Sequence, residues 1–144
     1  MREAPTIEER ILEKVEYVGE AIEILSRKQS LDLQTYLDDP EEQAIVERMF
    51  QTAIEASIDI AELLIVDRGV AVPETNADRF GRLHELEVLS EKTASKMGNA
   101  ASFRNVLAHN YGFDIDDRRV YGHLQSDLHW FPTFLREVRD SLDS

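Results

Sequence analysis

The stretch from Asp39 to Val66 constrains the fold most. Asp39-Pro40-Glu41-Glu42 places an aspartate at the N-cap, a proline at the first helical position and a glutamate at the third. Behind this start run Ile45, Met49, Ala53, Ile54, Ala56, Ile58, Ile60, Ala61, Leu63, Leu64 and Ile65. The spacing predicts one helix to about Val66, apolar on more than one face after Ala53. A helix of that kind needs cover on several sides, so it is central in a bundle or lies at a subunit interface. The small residues Ala53, Ala56, Ser57 and Ala61 allow other helices to approach closely.

Other segments read the same way. Over residues 6–27, Ile7, Ile11, Val15, Val18, Ile22 and Leu25 recur at steps of four and three, and Thr6 with Glu9 forms a capping box. Tyr17 is expected as boundary packing. Residues 28–38 are too apolar for a free linker, so they cover the end of the core or continue the first helix irregularly. Arg68-Gly69 ends the long helix. Asn76 is expected to cap a short helix over about 77–89, with His84 at the surface. Ser90 caps the next segment, in which Thr93, Ala94, Met97 and Ala101 face inward and Gly98 marks a possible break. A last helix over about 117–140 starts on Asp116 or Asp117, and Pro132 should kink or restart it. No strand alternation or repeat is present. The expectation is an all-α bundle of about five helices forming a single domain over 1–144. Helices this long in so small a domain often pair across a dimer.

Composition limits the function classes. The chain lacks cysteine, which excludes disulfide, iron–sulfur and thiolate chemistry. The segment Met1 to Arg10 is too charged for a signal peptide's apolar region, and no apolar run reaches the length of a membrane span. A soluble cytoplasmic protein with no membrane partner is expected. The net charge is −13, which should repel nucleic acid over most of the surface. The charge is uneven, however. Residues 1–77 hold 7 basic and 18 acidic side chains, whereas residues 78–119 hold 7 of each. The neutral segment can tolerate a polyanion, although acidity of this kind also suits a host adapted to salt.

Within that segment lies Phe103-Arg104-Asn105-Val106-Leu107-Ala108-His109-Asn110-Tyr111-Gly112. Five polar side chains, an arginine, two asparagines, a histidine and a tyrosine, sit at the end of a helix. Asn105 and His109 share one face, and Arg104 and Tyr111 share another. Arg104 and His109 are roughly 140° apart on a regular helix. Either the final turn departs from helical geometry, or a site formed by both closes across two chains. On the long helix Glu55, Asp59 and Glu62 form a carboxylate stripe, from which one or two side chains can face the cluster. No histidine stands at helical spacing beside them, and no metal or cofactor is expected.

Arg104, His109 and Tyr111, with Asn105 and the Ile54-Glu55 and Ile58-Asp59 pairs, resemble the Arg-x4-His-x-Tyr pattern of the HepT-like toxins. These are helical nucleic-acid-cleaving domains of the HEPN group. The resemblance covers roughly residues 8–138. It implies a homodimer in which two motifs meet across a cleft, and metal-independent endoribonuclease activity as the toxin of a type VII toxin–antitoxin system. It also implies an MntA-like nucleotidyltransferase antitoxin that adds AMP to the motif tyrosine, here Tyr111. Two positions depart from the pattern: Ala108 replaces a larger aliphatic residue, and Gly112 stands where an aromatic commonly follows the tyrosine.

RNA carries its own nucleophile, the 2′-OH, so cleavage requires proton transfer and charge stabilisation at phosphorus. His109 is the expected general base or acid, with a second His109 from the partner in the complementary role. Arg104 offers a permanently charged fork for the phosphate. Asn105 orients His109 or binds phosphate, and Glu55 or Asp59 supports Arg104. Lys92, Lys96, Arg118 and Arg119 can widen the positive rim or pair with surface carboxylates. The competing expectation is a non-catalytic helical partner, or regulatory subunit, of a minimal nucleotidyltransferase.

Overall fold

The computed structural model describes residues 3–109 and 115–143, without the side chains of Ala108 and His109. Seven helices occur among them: α1 (Ile7–Lys28), α2 (Leu33–Asp38), α3 (Pro40–Asp67), α4 (Asn76–Glu85), α5 (Glu91–His109), α6 (Asp117–Ser126) and α7 (Trp130–Leu142). The all-α bundle is as expected, but the expected count of about five is too low for two reasons. Residues 33–38 form a helix of their own, capped by the Asp32 carboxylate accepting from Thr35 N–H at 2.8 Å. The expected helix over 117–140 is two helices, broken at 127–129, so Pro132 falls in the first turn of α7, where its missing N–H costs little.

The most extensive helix pair is α1 with α3. Ile11, Val15, Val18 and Leu25 of α1 are buried, as are Ile54, Ile58, Ile60, Leu64 and Ile65 of α3. The α3 residues point to more than one side because α3 also contacts α2, α4 and α5. That explains an apolar pattern wider than one stripe. Asp39 caps α3, accepting from Glu41 N–H and Glu42 N–H at 3.1 and 3.2 Å. At its other end, Gly69 N–H donates to Val66 C=O and Val70 N–H to Ile65 C=O. Gly69 adopts φ +71°, a left-handed conformation that glycine takes without penalty.

Three local expectations are corrected. Thr75, not Asn76, caps α4, accepting from Asp78 N–H at 3.1 Å; Asn76 is the first helical residue and bonds Arg79 instead. Tyr17 is 56 % exposed rather than packed at the core boundary. Gly98 does not break α5. A Cβ there would lie 3.6 Å from Ala77 Cβ, so the glycine accompanies a close approach of α4 to α5. The short α4 ends at Glu85, where Glu87 holds φ +62° without being glycine.

Candidate functional site

The site helix is α5. It is poor in large apolar residues, and its position depends on polar contacts as well as packing. At its start Ser90 Oγ accepts from Thr93 N–H at 3.1 Å. The Glu137 carboxylate of α7 accepts from Ser90 N–H at 2.6 Å and from the buried Thr93 hydroxyl at 2.5 Å. Near the other end Phe103 is buried, with its ring edge-on to Phe50 at 6.0 Å and against His123 at 4.5 Å. These contacts fix the rotation of α5, and thereby the direction of Arg104.

Arg104 lies at the edge of the buried face, its side chain 31 % exposed. Its Nε and Nη2 both donate to one oxygen of Glu55, at 3.2 and 3.1 Å. Gln51, one turn earlier on α3, donates to the same oxygen at 3.3 Å. The third guanidinium nitrogen, Nη1, makes a long 3.4 Å contact to Asn105 Oδ1. One side of the guanidinium is therefore fixed on α3, and the other faces outward beside Asn105. A planar guanidinium held in this way keeps donors available for an anion.

The structure thus brings Arg104, Asn105 and Glu55 together. It takes Asp59 elsewhere, to Lys14 at 3.5 Å. Glu62 is exposed and belongs to no ion pair among the described residues. The carboxylate stripe read from the sequence therefore divides, and only its first member reaches the cluster. His109 is the last described residue of α5, and the helix is regular to that point. The backbone positions of Arg104 and His109 are thus five helical steps apart, a separation of roughly 140° around an ideal helix. Tyr111 lies outside the described residues. Next to Asn105, a polar cleft of about 290 Å³ is lined by Glu74, Thr75, Asn76, Ala101 and Ser102.

Sequence reading did not identify Gln51 as the second support of Glu55, although the i, i+4 spacing was visible. Nor did it identify Glu137, whose partners lie 44 and 47 residues away. Among the described residues Lys92 and Lys96 do not pair with carboxylates; both ammonium groups lie over the Trp130 ring, at 5.6 and 6.0 Å from its centroid.

Comparison with known proteins gives consistent results. The model of the family described as "Ribonuclease HepT-like" matches residues 16–138. A tRNA nuclease HepT of Aphanizomenon flos-aquae is 28% identical over 137 residues, covering 94% of this chain and 92% of that protein. A putative RNase of Archaeoglobus fulgidus is 28% identical over 135 residues, covering 94% and 95%. Among solved structures, a tri-AMPylated HEPN toxin of Shewanella oneidensis in complex with an MNT antitoxin superposes with a TM-score of 0.82. It is 20% identical, and the match covers 95% of this chain and 99% of that one.

Proposed function

The chain belongs to the ribonuclease HepT-like family, and on that premise we propose that it is the ribonuclease toxin of a toxin–antitoxin pair. The observation that carries the reading is the fixed orientation of Arg104, with two nitrogens on Glu55 and the third turned outward.

Cleavage proceeds by attack of the RNA 2′-OH on its own phosphate. Arg104 neutralises the charge that grows on the phosphoryl oxygens in the transition state. His109 moves the proton, as base from the 2′-OH or as acid to the leaving oxygen. Asn105 supplies a hydrogen bond beside the phosphate. Five helical steps separate Arg104 from His109, roughly 140° around an ideal helix, so the working set combines residues of two copies, and the active form is a homodimer. Transfer RNA is the first substrate to test, because the Aphanizomenon flos-aquae relative bears the name of a tRNA nuclease.

The partner is a nucleotidyltransferase antitoxin, by analogy with the Shewanella oneidensis toxin that was solved AMPylated beside its antitoxin. Tyr111 is the proposed acceptor. AMP on Tyr111, two residues beyond His109 in sequence, adds negative charge and bulk that oppose binding of a substrate phosphate.

Two experiments test this reading. Purified protein should cleave transfer RNA with EDTA present, and Arg104→Ala and His109→Ala should each reduce cleavage by about a thousandfold while remaining helical dimers. Wild-type rates in both variants would remove the assignment. Incubation with ATP and the partner should add AMP masses to the wild type and none to Tyr111→Phe. A mass gain retained by Tyr111→Phe would move the acceptor elsewhere.

A further inference from the structure

We propose that the cavity between α3, α5, α6 and α7 is a nucleobase subsite, seating one base of a single-stranded RNA against Trp130 with its phosphates on Lys92 and Lys96. This rests on the ribonuclease reading and extends it, since it states where the substrate strand lies beyond Arg104.

The cavity measures about 120 Å³, and its apolar walls include Phe50, Ile54, Met97, Phe103, Trp130 and Phe131. An apolar cavity of roughly 150 Å³ accepts benzene. A slightly smaller one with an open mouth takes the edge of one flat base, leaving sugar and phosphate outside. Sequence-tolerant strand binding uses this combination of an aromatic platform and adjacent cations. The two lysines are one turn apart on α5, and both stand over the same ring at the outer reach of a cation–π contact. Such contacts hold an ammonium group weakly, so each lysine can turn to a phosphate while the base occupies the ring.

The polar wall offers a partner for a base edge. His123 Nδ1 lies 2.7 Å from an Asp127 carboxylate oxygen, which accepts, so Nδ1 carries the proton. The other ring nitrogen, Nε2, is buried and has no hydrogen-bond partner among the described residues. Buried polar atoms without partners are uncommon and often mark functional sites. A base edge, which presents both donors and acceptors, would supply the missing bond with a small ring shift.

Location joins this subsite to the proposed cleavage site. Phe103, in the cavity wall, directly precedes Arg104. Lys96 lies eight residues before Arg104, about 12 Å along α5 and turned by roughly 80°. A strand whose scissile phosphate rests on Arg104 reaches Trp130 within a few nucleotides. The two lysines also belong to the segment that balances its charge, where the rest of the chain is acidic.

Trp130 is the single tryptophan of the chain, so its fluorescence reports on the pocket alone. The probe is a short single-stranded RNA, 2′-O-methylated to prevent cleavage, titrated at low salt with EDTA. The wild type should show saturable quenching that weakens as salt rises. The exposed-side double variant Lys92→Ala/Lys96→Ala should bind at least fivefold more weakly, by roughly the effect expected for lost phosphate contacts. Trp130→Phe should retain binding of the labelled strand, and Trp130→Ala should lose roughly tenfold. Binding without a fluorescence change, or lysine variants that bind like wild type, would overturn the subsite. Parallel cleavage of unmethylated RNA separates the two proposals. Cleavage without quenching leaves the ribonuclease and removes the pocket, quenching without cleavage does the reverse, and the absence of both removes both.

Discussion

Helices α3 and α5 lie against each other but are held in different ways. α3 is positioned by apolar burial: Ala53, Ile54, Ile60, Ala61, Leu64 and Ile65 are all essentially removed from water. α5 has Phe103, Met97 and Leu107 as its large buried residues, and polar latches at two places. Glu137 ties its first turn to α7, and Glu55 ties Arg104 to α3. Apolar burial is strong and non-directional, so it fixes a scaffold. Hydrogen bonds are weaker and directional, so they fix the angle at which a reacting side chain is presented. The helix that carries the proposed catalytic residues is therefore the one whose placement depends on direction.

That contrast can be broken by substitution. The largest stability loss should come from α3: Leu64→Ala removes a fully buried side chain and should cost about 2–5 kcal/mol. Denaturant unfolding measures it, and a loss under about 1 kcal/mol would mean that α3 is less central than it looks. Glu137→Ala should cost less, about 1–2 kcal/mol, because it leaves the buried Thr93 hydroxyl and Ser90 N–H without this acceptor. Its mark should be local: faster amide exchange at the start of α5 with α3 unchanged. Uniform acceleration along the chain would contradict the idea of a latch.

Glu55→Gln should change stability by less than about 1 kcal/mol, since the ion pair is partly exposed. Its effect belongs in the rate. Releasing Arg104 should slow cleavage by on the order of tenfold to a hundredfold, chiefly in kcat. A variant that melts early but cleaves normally would make Glu55 structural only.

The smallest effect comes from a charge that fits α3 poorly. Burial first, and then the Asp117 charge, push the Glu47 carboxyl above its ordinary range. With the folded-state value raised, the folded chain holds this proton more tightly than the unfolded one. Glu47 therefore favours folding below its unfolded value, and loses that contribution as pH rises through the folded value. Glu47→Gln should raise Tm slightly at neutral pH, with the gain vanishing in acid. A gain that grows as pH falls would reverse the sign.

The difference between the two helices also explains what could be read in advance. α1 and α3 were legible because apolar periodicity and caps such as Thr6 and Asp39 are local signals. The start of α5 was legible for the same reason, through Ser90 and Thr93. The segment that holds Arg104, Asn105 and His109 stood out by residue type and spacing. The pairing of Arg104 with Glu55 rather than Asp59 was not decided by spacing, because both occupy one stripe of α3 and only the packing of α5 selects between them. The break after Ser126 and the short α2 were missed because a strong apolar repeat runs through the first, and six residues are too few to show a period in the second. The surroundings of Trp130 were not legible either, and only the folded chain shows two lysines and a cavity at its ring.

The central claim is that Arg104 of one copy acts with His109 of another, so that one intact chain does not make an intact site. The direct measurement is subunit poisoning. Wild type is co-folded with an increasing excess of the Arg104→Ala/His109→Ala double variant, and RNA cleavage is followed per wild-type chain. Shared sites predict that this activity falls steadily as mixed dimers replace wild-type ones. Activity per wild-type chain that stays constant at every ratio, with mixed dimers confirmed by mass, would show that each chain carries a complete site of its own.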